Sequence, residues 1–268
     1  MPNFIFDNIS FVYREEGMGI PVIFLHGLGG DVYQPFSHFP RIEGYRLISI
    51  DFRGHGKTRY FGDESKFGFH VFAQDVIALM DHLQIDSAVV GGISTGAGVA
   101  LHIALQYPKR VSKLILSRIA WLDKPQDEKV QAVFQEVADN VRDYGAAEGK
   151  IKFKNSALFC EFDEMSPPVA SSFLQQFDYP HIEETYAKLI KIPHDAPNYD
   201  REEWRAINVP TLILANKIDP LHPYHYGKIV SEFIDNSIFR EIPPKAVSNE
   251  LHIEISKKYF SEFLKNND

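Results

Sequence analysis

The sequence predicts an α/β fold, with a mostly parallel sheet flanked by helices and a helical insertion between two of its strands. Three observations carry this. Short, largely apolar runs recur at Ile20–Leu25, Tyr45–Ile50, Ser87–Gly91, Lys113–Ser117 and Val209–Ala215. Runs that stay apolar, rather than alternating, belong to strands covered on both faces. Helical spacing fills the stretches between them until about residue 121, where strands stop and only helical patterns continue to about 206.

Residues 4–13 and 20–26 read as the first strands, the second stopped by His26-Gly27-Leu28-Gly29-Gly30. The strand at Tyr45–Ile50 runs into Asp51-Phe52-Arg53-Gly54-His55-Gly56-Lys57-Thr58, a turn-rich loop. Over 69–83, Phe72, Val76, Leu79, Met80 and Leu83 recur at helical spacing. Residues 96–106 are small and apolar, as in a helix packed closely on a sheet, and they stop before Tyr107-Pro108. Candidate helices in the insertion are 126–143, 145–159, 167–177 and 182–190. A strand at 237–242 and a helix over about 252–265 end the chain. The expected organisation is a core of residues 1–120 and 207–268 carrying a cap of residues 121–206.

A chain of 268 residues buries enough apolar surface to fold without disulfide or metal. The net charge of -8, with no basic stripe, argues against nucleic acid and anionic membranes as partners. The single cysteine, Cys160, cannot form an internal disulfide, fits a reducing compartment, and is expected to be buried. No stretch reads as a signal peptide or a membrane span, so the expectation is a cytoplasmic protein, monomer or homodimer, acting on a small molecule without cofactor or metal.

Gly92-Ile93-Ser94-Thr95-Gly96 has the form G-x-S-x-G. By itself the pattern is weak, with about 0.1 chance matches in a chain of this length. Its context is specific: a strand leads into it and a helix leaves it, which is the setting of a nucleophilic serine on a sharp turn. The helix N-terminus aims free N–H groups at the same place. A serine hydroxyl needs a base to take its proton, and the base needs an acid to orient it.

The acid is expected at Asp219, just past the strand ending at Ala215, with Asp123 as the alternative. The base is expected at His252, which follows the last strand, with His222 as runner-up. His26 and His55, in glycine-rich loops, are expected to make structural hydrogen bonds. Donors for the oxyanion are expected from the backbone N–H groups of Thr95 and Leu28. The glycines near Leu28 lack the G-x-G-x-x-G spacing of a dinucleotide site.

These motifs together resemble the α/β-hydrolase superfamily, in its small, capped, esterase-like branch. His26–Gly30 looks like that family's oxyanion loop, residues 51–58 like its D-x-R-G-x-G-x-[ST] loop, and Gly92–Gly96 like its nucleophile elbow. The resemblance implies a triad of Ser94, Asp219 and His252 and a cap over the site. Thr95 departs from the Met, Leu or Gln that many relatives carry. Ser94 itself argues against dehalogenases and epoxide hydrolases, which use Asp there.

The expected activity is hydrolysis of a carboxylic ester, lactone or thioester of a small to medium, partly apolar substrate through an acyl-enzyme. Carbon–carbon bond hydrolysis of diketo acids, acyl transfer and cofactor-free peroxidation are alternatives on the same triad, and an inactive ligand receptor is a third class. The cap aromatics suggest an apolar pocket or the cap's own core. Arg118 and Trp121 are the candidate substrate-binding residues; Arg118, at the cap's base, is expected either to hold a substrate carboxylate or to pair with an acid such as Asp123 or Asp195.

Overall fold

The computed structural model describes residues 1–266. Eight strands form one sheet: β1 (Asn3–Phe6), β2 (Ile9–Gly17), β3 (Ile20–Leu25), β4 (Tyr45–Ile50), β5 (Ala88–Ile93), β6 (Val111–Ser117), β7 (Thr211–Ala215) and β8 (Ser237–Glu241). Their spatial order is β1-β2-β4-β3-β5-β6-β7-β8. The first two pairings in that order are antiparallel and the rest are parallel. Apart from β8 at the edge, the parallel strands are the apolar runs of the sequence, and β5 and β7 are buried along their whole length.

Helices α1 (Tyr33–His38), α2 (Phe69–His82), α3 (Thr95–Gln106), α9 (Tyr224–Phe233) and α10 (Asn249–Lys265) flank the sheet. Between β6 and β7 the described chain forms no strand. It carries α4 (Glu128–Lys154), α5 (Ala157–Met165), α6 (Pro167–Gln175), α7 (Ile182–Thr185) and α8 (Ala187–Lys191). The two helices expected at 126–143 and 145–159 are one element, α4, broken at Gly145 (φ 72°), with α5 following.

The buried side chains fall into three clusters. One, with Phe52, Phe72, Leu116 and Trp204, fills one face of the sheet. Another, with Phe24, Phe39, Leu212 and Phe260, fills the opposite face. The third is the inserted helices' own core, built on Val133, Phe134, Phe153, Phe162 and Phe173.

The 51–58 loop is held by its own motif. The Asp51 carboxylate accepts the N–H groups of Val32 and Lys57, both at 2.7 Å. Gly56 lies against it with φ 51°, where a Cβ would sit 2.4 Å from Asp51 Cγ. Arg53 forms a buried pair with Asp75, and Thr58 Oγ1 accepts the Val12 N–H at 2.9 Å. These contacts tie the loop to the edge of the sheet beneath the site.

Cys160 is exposed, contrary to the sequence expectation. Helix α5 buries Phe159 and Phe162, which leaves Cys160 on its outer face.

Candidate active site

The carboxyl ends of β3, β5, β6 and β7 meet at one edge of the sheet, and each delivers a residue to it. Ser94 follows β5 and immediately precedes α3, with φ 57° and ψ -116°. A side chain could not be added to either flanking glycine: a Cβ on Gly92 would lie 2.4 Å from the Gly96 carbonyl carbon, and one on Gly96 would lie 2.4 Å from the Leu25 oxygen. The two glycines therefore let the turn close with the hydroxyl facing outward.

Arg118 ends β6 with φ 53°, and Ile218 follows β7 with φ 59°. Three non-glycine residues thus take left-handed backbone at three neighbouring strand ends. Such strain persists only where the surroundings hold it, and it gathers at functional sites.

After β7, Asp219-Pro220-Leu221-His222 forms a tight turn. The His222 backbone N–H donates to Asp219 Oδ1 at 3.1 Å and faces its carbonyl at 3.2 Å. The turn brings the ring back over the carboxylate, with Nδ1 at 3.0 and 3.1 Å from the two oxygens. The opposite ring nitrogen, Nε2, lies 3.0 Å from Ser94 Oγ. A carboxylate only accepts, so Nδ1 carries the proton and the Nε2 lone pair faces the serine hydroxyl.

Arg118 Nη2 donates to Asp219 Oδ2 at 2.9 Å and lies 3.0 Å from His222 Nδ1. Of the sequence alternatives for Arg118, neither Asp123 nor Asp195 is its partner. Asp123 is bound by Arg201, at 2.6 and 3.0 Å, and Asp195 accepts the Phe69 N–H at the start of α2.

The electrostatics follow from burial and these three charges. Burial alone would raise Asp219. The charges of His222 and Arg118, with hydrogen bonds from both, override it and hold the carboxyl well below the usual carboxylate range. Burial and then Arg118 push His222 down to about 4 against the pull of Asp219, so its ring is neutral near pH 7.

The expectation for His252 is corrected. Helix α10 starts at Asn249, because Ser248 caps it by accepting the Leu251 N–H at 3.1 Å. His252 consequently lies within the helix rather than in a loop before it. Its Nδ1–H donates to the Pro243 carbonyl at 2.8 Å, and burial pushes it down to about 3. Among the described residues it bonds to neither Ser94 nor Asp219. The signal in the sequence was the three-residue spacing of Asp219 and His222 immediately after a buried strand.

The loop after β3 faces Ser94. Gln34 on α1 accepts the Gly27 N–H at 2.7 Å. The N–H groups of Leu28 and Thr95 have no acceptor among the described residues, and both residues lie beside Ser94. His26 and His55 are structural. His26 Nε2 accepts the Phe52 N–H at 3.1 Å, and His55 Nδ1 donates to the Arg53 carbonyl at 3.0 Å.

Above the serine lies a cavity of about 400 Å³. Leu28, Ile93, Trp121 and Phe134 give it apolar wall. Of the two expectations for the cap aromatics, the cap's own core takes most of them, while Trp121, Phe134 and Tyr179 reach the cavity. Helix α6 and the turn after it present Ser171, Ser172, Gln175 and Gln176, while Phe153, Phe159, Phe162, Phe173 and Phe177 are buried in the cap's own core. Trp121 lines the cavity with its indole N–H unpartnered. No group of three or more His, Cys, Asp or Glu among the described residues is arranged to hold a metal. No helix among them is long and apolar enough to cross a membrane.

Comparison with known proteins agrees with this architecture. The family described as "alpha/beta hydrolase fold" matches residues 20–246. The chain belongs to the α/β-hydrolase fold family. It is 27% identical over 238 residues to the AB hydrolase superfamily protein YisY of Bacillus subtilis, covering 86% of each chain. It is 26% identical over 250 residues to 3-oxoadipate enol-lactonase 1 of Acinetobacter baylyi, covering 91% of this chain and 88% of that one. Among solved structures, the enol-lactonase from Burkholderia xenovorans LB400 superposes with a TM-score of 0.79 at 20% identity, over 99% of this chain and 100% of that one. In this α/β-hydrolase, the histidine facing Ser94 comes from the turn after β7 rather than from the segment after β8.

Proposed function

We propose that this α/β-hydrolase cleaves a carboxylic ester or lactone of a small substrate through an acyl-enzyme, with Ser94 as nucleophile, His222 as base and Asp219 as its orienting acid. The observation that carries the reading is the hydrogen-bonded line from Ser94 Oγ through the His222 ring to Asp219. His222 Nε2 takes the hydroxyl proton as Oγ attacks the substrate carbonyl. The oxyanion is received by the Thr95 and Leu28 N–H groups. The tetrahedral intermediate collapses and the leaving oxygen departs with the proton from Nε2. Water, deprotonated by the same nitrogen, then releases the acid and restores Ser94. Asp219 keeps the ring in the reactive tautomer, and Arg118 keeps Asp219 ionised.

Similarity to a protein named an enol-lactonase supports a lactone or ester carbonyl as the reacting group. The α6 serines and glutamines favour a substrate with polar substituents over a long alkyl chain.

The test is labelling by a fluorophosphonate probe together with turnover of short p-nitrophenyl esters. Ser94→Ala abolishes both. His222→Gln lowers kcat by about 10²–10⁴-fold. His252→Gln, whose side chain can still donate to Pro243, retains kcat within about fivefold, a loss far below that of an acid–base group. Wild-type protein that neither labels nor turns over an ester, or a His252→Gln loss as large as that of His222→Gln, refutes the reading.

A further inference from the structure

The charged and imidazole side chains lining the cavity are Arg118, Asp219, His222 and Lys245. Three of them satisfy one another, since Arg118 and His222 both bond to Asp219. Lys245 is left over. Among the described residues it has no carboxylate within ion-pair distance and no hydrogen-bond acceptor; the acid whose charge acts on it is Asp219, already shared between two partners.

Lys245 lies in the segment between β8 and α10, which reads Pro243-Pro244-Lys245-Ala246-Val247-Ser248 and contains no histidine. With the base supplied from the turn after β7, this segment delivers a cation to the cavity instead. It is firmly held. His252 donates to the Pro243 carbonyl, the Val247 and Ser248 N–H groups donate to the Pro244 carbonyl at 3.0 and 3.1 Å, and Ser248 caps α10. The braced backbone fixes where the Lys245 side chain starts, and that side chain lines the cavity half-buried and without a partner.

We propose that Lys245 receives a carboxylate on the substrate, so that the preferred substrate is an anionic ester whose charge sits on either its acyl or its leaving part. The proposal rests on the Ser94 reading for the reaction, but not for the binding. Burial and the neighbouring Arg118 charge push Lys245 down to about 7, so the unliganded site holds its proton weakly. An incoming carboxylate restores it. Arg118 already has an anionic partner, with Nε and Nη2 both on Asp219 Oδ2, whereas Lys245 has none.

The experiment pairs charged with neutral esters. 4-Nitrophenyl hydrogen glutarate and 4-nitrophenyl hexanoate test an acyl-side carboxylate. 4-Acetoxybenzoate and its methyl ester test a leaving-group carboxylate. Lys245→Gln is expected to lower the charged-to-neutral ratio of kcat/KM at least fivefold in one pair, chiefly through KM, and Lys245→Arg to restore it. The pair that responds locates the carboxylate. A change below fivefold in both pairs overturns the proposal while leaving the Ser94 reading intact. Calorimetric titration with monomethyl glutarate in the Ser94→Ala background, where the ester is not cleaved, reads binding without turnover. If no ester is cleaved, at least fivefold weaker binding when Lys245→Gln is added to that background still supports the carboxylate site. Equal binding, or none to either protein, overturns it.

Discussion

At the scale of single residues, the site is governed by Arg118. It stands against both acid and base, so its charge acts on them in opposite senses: it favours the ionised Asp219 and disfavours the protonated His222. A base must be neutral to accept the Ser94 proton, and His222 is held down to about 4. The acid limb of kcat/KM for a neutral ester is therefore expected near pH 4, well below the ordinary histidine range. Replacing Arg118 with Met removes the second-largest cause of the depression. The limb should move to higher pH, while kcat falls because Asp219 loses its counter-charge in a buried setting. A profile from pH 3.5 to 8 on both proteins checks this, and an unmoved or lowered limb in the variant would contradict it. The same arrangement explains what the sequence concealed. Both His222 and His252 follow Asp219 in the chain, and order alone does not separate them. The choice is made by the Asp219-Pro220 turn, which folds His222 back onto its own acid, and by Ser248, which draws His252 into α10. These are three-dimensional consequences of local hydrogen bonds, and hydropathy does not encode them.

At the scale of elements, the elbow between β5 and α3 shows what was legible. Gly92 and Gly96 bracket Ser94 in a pattern that a tight strand-to-helix turn demands, and the structure supplies the contacts that forbid anything larger. Gly96→Ala would place a methyl 2.4 Å from the Leu25 oxygen, so β3 and α3 must separate. The expected cost is about 1–3 kcal/mol, as for other overpacked sites, and the shift also moves the Leu28 loop that follows β3. A denaturant midpoint within error of wild type, with normal ester turnover, would show that the turn is not tight. Strands β5, β6 and β7 were readable because they are largely buried on both faces and their runs stay apolar. Helix α1 was not, since six residues including Pro35 are too few to show a helical period. The cap's helices were readable, but not which side faced the substrate. Its phenylalanines repeat at helical spacing because they pack on one another, and that repeat looks the same whether the aromatic face meets substrate or other helices.

At the scale of the molecule, the cap has a core of its own, and among its contacts with the sheet domain the least ordinary is that of Lys188. This lysine lies on α8 and is fully buried. Its Nζ donates to the Gly54 carbonyl in the 51–58 loop at 2.7 Å and to Thr185 Oγ1 at 3.1 Å, with no acid in contact. Burial pushes it from its ordinary 10.5 down to about 7. Across that interval the unfolded chain carries a proton that the folded chain has released, so protonation favours unfolding and stability should rise with pH from about 7 toward 10. The slope from one such group is at most about 1.4 kcal/mol per pH unit. Other groups titrate in the same range, Lys245 among them, but they are common to wild type and Lys188→Met and cancel in the difference. Urea unfolding of the two proteins at pH 7 and pH 9 should therefore show wild type gaining about 2 kcal/mol on the variant over the interval. A difference that stays level between the two pH values would mean that Lys188 keeps its proton in the folded state, with its charge carried by the Gly54 carbonyl alone. The loss of the Gly54 bond itself should appear separately once the pH reaches the ordinary 10.5 and the unfolded chain also releases its proton, as a lower stability of Lys188→Met there, since the neutral amine of wild type still donates across the junction between cap and core.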